Sequence, residues 1–341
     1  MINQIYRLVS PGRFEITYRD LSLNTDKVIV RPKFLSVCAA DQRYYQGRRE
    51  ASVLKKKLPM ALIHEGVGEI VFDPSNRFKI GQTVVMVPNT PVENDEVIDE
   101  NYLPSSKFRS SGYDGFTQDY VFMESDRLVP IFEELDNHTS AFLELVSVAM
   151  HAVRRFKEKT HVRKEKIGIW GDGNLGYITA LILKKEYPET ELVVFGKNEH
   201  KLDYFTFIDE KILINDIPTG YAIDHAFECV GGRGSESAVD QIIDCIKPMG
   251  SISLLGVSEL PIEINTRLVL EKGLTLFGSS RSGTIDFQET VDFLEENKDV
   301  IDYLSHLVSN VIEVSAIKHI DRAFEEDLVS SWGKTVMEWK I

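Results

Sequence analysis

Two textures of hydrophobic patterning divide the chain. In its first part, apolar β-branched runs at 27–37 and 82–87 are separated by clusters of turn residues such as Phe72-Asp73-Pro74-Ser75-Asn76, which predicts strands joined by turns. The stretch 88–112 is polar, acidic and weakly periodic, and reads as a long surface loop or lobe of the kind that carries function or assembly contacts. From residue 142 the texture changes. A helical period at 142–156 gives way to strands at 166–170, 191–196, 211–215, 222–230, 251–256 and 274–279, with helices at 175–185, 200–207 and 235–247. These strands are continuous apolar runs, as expected where both faces of a parallel sheet are covered. Past Gly283, amphipathic helices return at 287–296 and 317–326, and 334–341 alternates like a closing strand. The predicted class is α/β: a doubly wound parallel-sheet domain inserted between two parts of a β-rich domain, with no internal repeat or low-complexity linker.

Composition narrows the function. A chain of 341 residues, 43% hydrophobic, suggests two domains with sizeable cores. The net charge of -14 argues against nucleic-acid or membrane partners, which need a basic face, but leaves room for a locally basic pocket. The three cysteines, Cys38, Cys229 and Cys245, are too few and too scattered for a disulfide framework and fit a reducing compartment. The opening segment MINQIYRLVSPGRF has no basic and apolar signal-peptide regions. No run approaches a membrane span. The expectation is a cytoplasmic protein.

The segment Ile167-Gly168-Ile169-Trp170-Gly171-Asp172-Gly173-Asn174-Leu175-Gly176 places G-x-G-x-x-G after a strand and at the mouth of a helix. Gly171 permits the tight turn, Gly173 lets backbone approach a pyrophosphate, and Gly176 lets helix and strand pack closely; Asn174 and Leu175 open the helix whose N-terminus faces the anion. An NAD site wants a carboxylate about 20 residues further on for the ribose 2′-hydroxyl. Here Val193-Val194-Phe195 runs into Gly196-Lys197-Asn198, with no acid before Glu199. Gly196 is therefore expected to leave room for a 2′-phosphate, with Lys197 and Lys201 to neutralise it, which points to NADPH/NADP+. An aspartate at 196 should favour NADH on this reading. That both lysines are merely solvated stays open.

Three separated pieces carry a second chemistry: Cys38 in Val37-Cys38-Ala39-Ala40-Asp41, His64 and Glu65 in Pro59-Met60-Ala61-Leu62-Ile63-His64-Glu65-Gly66-Val67-Gly68, and Glu144 in Glu144-Leu145-Val146-Ser147-Val148-Ala149-Met150-His151-Ala152. A thiolate, an imidazole and a carboxylate leave one tetrahedral position of Zn²⁺ open, the layout of a catalytic site, and two anionic ligands neutralise the ion. Spacing alone also allows each to be structural, since a lone buried cysteine behaves as a small hydrophobe.

In this order the motifs resemble the zinc-dependent medium-chain dehydrogenases, especially the sorbitol-dehydrogenase branch. The resemblance spans essentially the whole chain and includes Asp224-His225-Ala226-Phe227-Glu228-Cys229-Val230-Gly231 and Pro248-Met249-Gly250-Ser251. It implies a GroES-like catalytic domain at 1–146 and 283–341 and a Rossmann domain at 147–282. It also implies Cys38, His64 and Glu144 as zinc ligands, Glu65 as the neighbour that ligates or exchanges with water, and Ser279 at the cofactor. Segment 88–112 lacks the cysteines of a second, structural zinc lobe, so one zinc per chain is implied. Cys229 and Cys245 fall in the sheet domain and read as structural. Within the family, Cys38-Ala39-Ala40-Asp41-Gln42-Arg43-Tyr44-Tyr45, Phe108-Arg109-Ser110-Ser111-Gly112 and Gly278-Ser279-Ser280-Arg281-Ser282-Gly283 are similar to the ribitol-5-phosphate dehydrogenases (ribulose-5-phosphate reductases) that supply CDP-ribitol for bacterial wall teichoic acid or capsule. This implies NADPH-dependent reduction of a phosphorylated pentulose to the pentitol, a homodimer joined through the apolar strand at 274–279, and a cytidylyltransferase of the same pathway as partner. Many relatives carry a hydroxyl residue where this chain has Ala40, so the proton must travel another way, through water held by Glu65.

A phosphorylated substrate needs cations. Residues 42–57 hold six basic side chains (Arg43, Arg48, Arg49, Lys55, Lys56, Lys57) against one acid, Glu50. Arginine suits bidentate phosphate binding, so Arg43, near Cys38, is the first candidate, with Arg109 and Arg281 behind it, and the lysine triplet reads as a solvated loop. Two other readings stay open: a dehydrogenase of an unphosphorylated polyol, and a zinc-free nucleotide-binding scaffold or sensor.

Overall fold

The computed structural model describes every residue except Met1 and Leu21. The chain forms two compact units, one made of residues up to Ser147 together with Ser282–Ile341, the other Val148–Arg281. The boundary falls inside the helix Leu143–Lys159.

The first unit is β-rich. An antiparallel hairpin, Ile2–Ser10 with Arg13–Asp20, is extended by Met60–Ala61. A seven-stranded sheet runs in the order Leu128–Pro130, Thr83–Met86, Glu65–Phe72, Val28–Ser36, Lys334–Trp339, Val308–Val314, with Val121–Met123 beside Val28–Ser36. Within this sheet, Ser36 pairs antiparallel with Glu65 on one side and with Val336 on the other. The end of the chain thus closes the sheet against a strand near its beginning, and Val37 N–H donates to Thr335 O at 3.0 Å. The glycines of His64-Glu65-Gly66-Val67-Gly68 are required by this close pairing. A Cβ on Gly66 would lie 2.4 Å from the Leu35 side chain, and one on Gly68 2.4 Å from the Arg31 carbonyl. Tyr6, Leu35, Val37, Tyr44, Ile63, Met86, Phe116, Phe324 and Met337 belong to the core of this unit. Each such side chain is worth roughly 1.5–3 kcal/mol of apolar burial.

The second unit is a six-stranded parallel sheet in the order Glu210–Leu213, Glu191–Gly196, Lys166–Trp170, Ile223–Glu228, Ile246–Leu254, Thr275–Gly278. The order reverses between Lys166–Trp170 and Ile223–Glu228, the switch point where doubly wound folds open a crevice for nucleotides. Thr275–Gly278 is an edge strand.

The α/β class read from the pattern is the class observed. Several elements differ locally. The helix expected at 200–207 is only Glu199–Leu202, because Phe205 and Phe207 turn back to pack against Tyr177, at 5.1 and 5.2 Å between ring centroids. The helix expected at 235–247 ends at Cys245, and the next strand begins at Ile246. The helices Thr266–Lys272 and Asp299–Ser305 and the strand Val308–Val314, whose Ser309 and Asn310 interrupt its apolar run, went unread. The 88–112 stretch is mostly irregular but holds a small ladder, Asn89–Thr90 with Lys107–Phe108, and is anchored by Glu100, which accepts from Arg127 at 2.7 Å and from Thr284 N–H at 2.8 Å. Among the described residues, no helix is long and apolar enough to cross a membrane.

Candidate active site

The antiparallel register of Val28–Ser36 with the last strand carries Cys38, two residues beyond Ser36, toward Lys334, two residues before Val336. Glu65 is paired with Ser36 directly, and His64 precedes it at the strand's start. One donor atom each from Cys38, His64 and Glu65 lie within 4.8 Å of one another. His64 and Glu65 are buried and Cys38 is half-buried. Glu144, buried in the first turn of Leu143–Lys159, is close enough to feel the charges of His64, Glu65, Lys334 and Asp41. Ser147, one turn on, hydrogen-bonds back to the Glu144 carbonyl at 2.6 Å and meets the Ser282 hydroxyl at 2.7 Å.

The electrostatics describe a place that wants a cation. Burial, then the Glu65 charge, pushes the Cys38 thiol up. Burial, reinforced by Glu65 and Asp41 and opposed by His64 and Lys334, raises the Glu144 carboxyl to about 7. Burial opposes charge on His64, but Asp41 and Cys38 outweigh it and hold the imidazole well above its usual range. A thiol, an imidazole and a carboxylate with donor atoms this close fit a divalent ion of zinc's softness, with Glu144 outside that group of three.

Two further residues complete the site, and sequence reasoning had assigned neither a role. Asp41 is fully buried on the helix Ala39–Tyr45. One of its oxygens lies 3.3 Å from His64 Nδ1, while the other accepts from Ile63 N–H at 3.1 Å and from the Ser110 hydroxyl. Burial penalises its charge, but His64, Ser110 and the Ile63 amide outweigh that and hold its carboxyl below the usual aspartate value. A carboxylate on Nδ1 fixes the ring and leaves Nε2 to face a metal. Asp41 is the last residue of Val37-Cys38-Ala39-Ala40-Asp41, three residues after the thiol. Lys334 is the second. Its ammonium, 4% exposed as a residue, lies 2.9 and 2.8 Å from the two Glu65 oxygens. Burial works against its charge, but Glu65, Cys38 and Asp327 hold its pKa above the lysine range. No local pattern marks Lys334, because its partner is 269 positions away.

In the nucleotide unit, Gly171 has φ 132, and a Cβ there would meet the Cys229 backbone at 2.9 Å. A Cβ on Gly176 would meet the Gly171 carbonyl at 2.1 Å, whereas one on Gly173 would face open space. Gly173 caps the helix Asn174–Glu186, so Asn174 and Leu175 form its open first turn. Lys197 is exposed, Lys201 half-buried, and Ser279 buried just past the edge strand.

Two expectations need correction, for Arg109 and for the lysine triplet, and the expected effect of an aspartate at 196 changes as well. Gly196 has no room for a side chain. A Cβ there would lie 2.7 Å from the Leu202 side chain and 2.9 Å from Asp172 Cβ. The Asp172 carboxylate accepts the backbone N–H groups of Lys197 and Asn198 at 2.8 and 2.7 Å and the Asn198 amide at 3.0 Å, tying the two loops together. Gly196→Asp is therefore expected to cost about 1–3 kcal/mol through overpacking, with added repulsion from Asp172, and not to switch the cofactor. A thermal melt with Michaelis constants for both cofactors checks this; a stable variant that prefers NADH overturns it. Arg109, read as a phosphate ligand, is committed elsewhere. It donates to the carbonyls of Asp114 at 3.1 Å and Phe122 at 2.6 Å and lies 5.9 Å from the Phe116 ring, and burial lowers its pKa to about 10. The lysine triplet is not uniformly solvated: Lys55 and Lys56 are exposed, but Lys57 is half-buried and bonded to Ser111 at 3.0 Å. Of the other candidates, Arg43 is half-buried on the helix that follows Cys38, and Arg281 is exposed at the end of the nucleotide unit. Cys229 is buried beside Thr179, and Cys245 is buried at its helix end.

A β-rich unit with a close thiol–imidazole–carboxylate cluster and a parallel-sheet unit with a glycine-rich first turn are the two halves of a zinc-type dehydrogenase. Residues 24–133 match the alcohol dehydrogenase GroES-like domain, and residues 193–296 match the zinc-binding dehydrogenase domain. The chain is 59% identical over 341 residues to the ribulose-5-phosphate reductase of Bacillus spizizenii, with 100% of both chains covered. It is 58% identical over 339 residues to ribulose-5-phosphate reductase 1 of Staphylococcus aureus, covering 99% of each. The crystal structure of S. aureus TarJ in complex with NADPH is similar with a TM-score of 0.90 and 53% identity over 100% of each chain. The chain belongs to the zinc-binding alcohol dehydrogenase family, among its ribulose-5-phosphate reductases.

Proposed function

We propose that this protein reduces D-ribulose 5-phosphate to D-ribitol 5-phosphate, consuming one NADPH and one proton. The observation that carries the reading is the Cys38–His64–Glu65 cluster, in a chain 59% identical along its whole length to a ribulose-5-phosphate reductase. Cys38, His64 and Glu144 are the residues to hold one zinc per chain, with Glu65 as neighbouring or exchanging ligand. When bound, the ion supplies Lewis acidity toward the C2 carbonyl, and NADPH supplies the hydride. The rest is the work of the chain. Asp41 orients His64, Lys334 balances Glu65, and Gly171, Gly173, Asn174, Leu175 and Gly176 form the pyrophosphate turn. Lys197 and Lys201, which follow the strand Glu191–Gly196 in the chain, are the candidates for the 2′-phosphate, with Ser279 as a further residue of the nucleotide site. Since Ala40 offers no hydroxyl, the product oxygen takes its proton from water held at Glu65.

The product, a pentitol phosphate, is a substrate for cytidylyl transfer, in keeping with CDP-ribitol supply for wall teichoic acid. A cytidylyltransferase is the partner this implies, and the cytoplasm, where NADPH is kept and where its free thiols remain reduced, is the compartment. The edge position of Thr275–Gly278 supports a homodimer formed there; light scattering should give twice the mass of the chain, and a monomer at micromolar concentration argues against this edge. The functional test is a substrate panel on protein of measured zinc content. Ribulose 5-phosphate with NADPH should outperform both free ribulose with NADPH and ribulose 5-phosphate with NADH. Equal rates on the free sugar would favour a polyol dehydrogenase instead, and protein without zinc or turnover would favour a scaffold.

A further inference from the structure

We infer that Glu228 is a positioning residue for the cofactor: its buried carboxylate clamps together the two loops over which the nicotinamide half of NADPH lies. The inference rests on the NADPH-dependent reading above. Glu228 closes the strand Ile223–Glu228, in register with Trp170 on one side and Leu254 on the other, and the strands Lys166–Trp170 and Ile246–Leu254 end at those two residues. The three strand ends stand together at the carboxyl edge of the sheet, beside the point where the strand order reverses. Ligands of doubly wound sheets bind outside this edge, one mononucleotide to each half. The half that begins at Lys166–Trp170 carries the glycine turn and the Gly196-Lys197 end of the second strand, the candidates for the pyrophosphate and the 2′-phosphate. That leaves the half made of Ile223–Glu228, Ile246–Leu254 and Thr275–Gly278 for the nicotinamide nucleotide.

Glu228 is 1% exposed, and four uncharged donors meet its carboxylate. One oxygen accepts the N–H of Val230 at 2.9 Å, the N–H of Gly231 at 3.1 Å and the Ser235 hydroxyl at 3.1 Å. The other accepts the Gly256 N–H at 3.1 Å. The two oxygens therefore reach different loops: 229–233, which leads into the helix Gly234–Cys245, and 255–257, which leaves the strand Ile246–Leu254. The backbone repeats the link, since Gly232 N–H donates to the Val257 carbonyl at 2.9 Å. Space is as tight as the hydrogen bonding. A Cβ on Gly256 would lie 2.5 Å from both carboxylate oxygens and 2.4 Å from Gly231 N, and Gly231 itself has φ 71. The first loop is also tied to the strand that opens the glycine turn, through Cys229 N–H and the Trp170 carbonyl at 2.8 Å.

What points from the clamp to a ligand is what the loops carry. Val230 and Val257, one on each clamped loop, are 44% and 59% exposed at the edge where a nucleotide binds. Apolar surface left in water there is stabilised when an apolar ring face covers it. The clamp also has a chemistry that one substitution can break. Four donors and no acceptor face Glu228, so both of its oxygens must accept. In Glu228→Gln the carbonyl can serve the three donors of the first loop, but the amide N–H₂ then confronts the Gly256 N–H. The side chain keeps its size while the loop 255–257 is released from the loop 229–233.

The test sets Glu228→Gln against the parent, as zinc-loaded enzyme, with two binding probes and steady-state rates. In calorimetry, NADPH should bind Glu228→Gln roughly tenfold or more weakly than the parent. Adenosine 2′,5′-bisphosphate, which carries the adenosine half alone, should bind both equally. In steady state kcat should fall as well, since a displaced ring is off the line of hydride transfer, while KM for ribulose 5-phosphate at saturating NADPH stays nearly unchanged. If Glu228→Gln does not fold, Val257→Ser, exposed and on a clamped loop, carries the same comparison with the same split expected. A variant with the parent's affinity for NADPH overturns the inference. So does an equal loss of both probes, which marks a role in folding alone. The split, found in an enzyme whose parent does not reduce ribulose 5-phosphate, keeps the clamp and defeats the functional reading. A parent that reduces it and is indifferent to the variant does the reverse, and a parent that binds no NADPH defeats both.

Discussion

Cys38→Ser is expected to yield a folded protein that retains no zinc and has lost roughly three decades or more of turnover. Serine is close in size to cysteine, and Cys38 is only half-buried, so little apolar burial is lost. What changes is the donor. A serine hydroxyl stays protonated at neutral pH and is a hard, weak ligand, whereas zinc takes a thiolate. Loss of Lewis-acid stabilisation worth several kcal/mol translates, at about 1.36 kcal/mol per decade, into that fall in rate. Elemental analysis of the parent should give close to one zinc per chain, and far-UV circular dichroism should show the variant's fold intact. A fully active Cys38→Ser protein would remove the metal from the mechanism.

Lys334→Met should produce the largest loss of stability of any single charge removal in the β-rich unit. It leaves Glu65 with neither of the 2.9 and 2.8 Å contacts that now balance its buried carboxylate. Breaking one side of a buried ion pair costs about 3–5 kcal/mol, more than the pair is worth against an apolar substitute. The double variant Lys334→Met/Glu65→Gln should therefore be more stable than Lys334→Met alone, since the orphaned charge has gone. The pH dependence has a definite sign. The Lys334 pKa is raised in the folded state, so its contribution is fully present below the unfolded value of about 10.4 and fades only as pH rises through the higher folded value. Between pH 6 and 9 the gap between parent and Lys334→Met should thus not close through this lysine. Urea titration of zinc-free protein measures all three quantities. Parent-like stability of Lys334→Met, or a double variant no better than the single, would show that Glu65 is balanced by something else.

Much of the architecture is legible in the amino-acid pattern. Buried parallel strands advertise themselves as short unbroken apolar runs, and the strands Lys166–Trp170 and Glu191–Gly196 begin and end where the pattern places them. Local errors arose where tertiary contacts overrode propensity, as when Phe205 and Phe207 left the helical path to pack on Tyr177. The donor residues were also visible as motifs, because a strand end, a tight glycine-spaced strand start and a helix first turn each leave a local trace. The structure brings donor atoms of Cys38, His64 and Glu65 within 4.8 Å of one another.

What the chain determined by itself, then, is the set of local preferences: two domain textures, a glycine-rich turn between a strand and a helix, residue types able to ligate a metal at strand and helix ends, and an excess of cations in 42–57. Only the tertiary structure decided which side chains meet. Lys334 reaches Glu65 because the last strand closes a sheet begun near the first, a pairing that no sequence window contains. Gly196 can carry no side chain because Leu202 and Asp172 occupy the space beside it. Arg109 is turned to two carbonyls, and Lys57, in a triplet of identical residues, is alone turned inward to Ser111 while its two neighbours are exposed. The physical reason is common to all four. Hydrophobic period reports which face of an element is buried, but the partner of a polar group is set by register and packing between segments far apart in the chain, where the cost of leaving a buried charge or donor unpaired selects one arrangement.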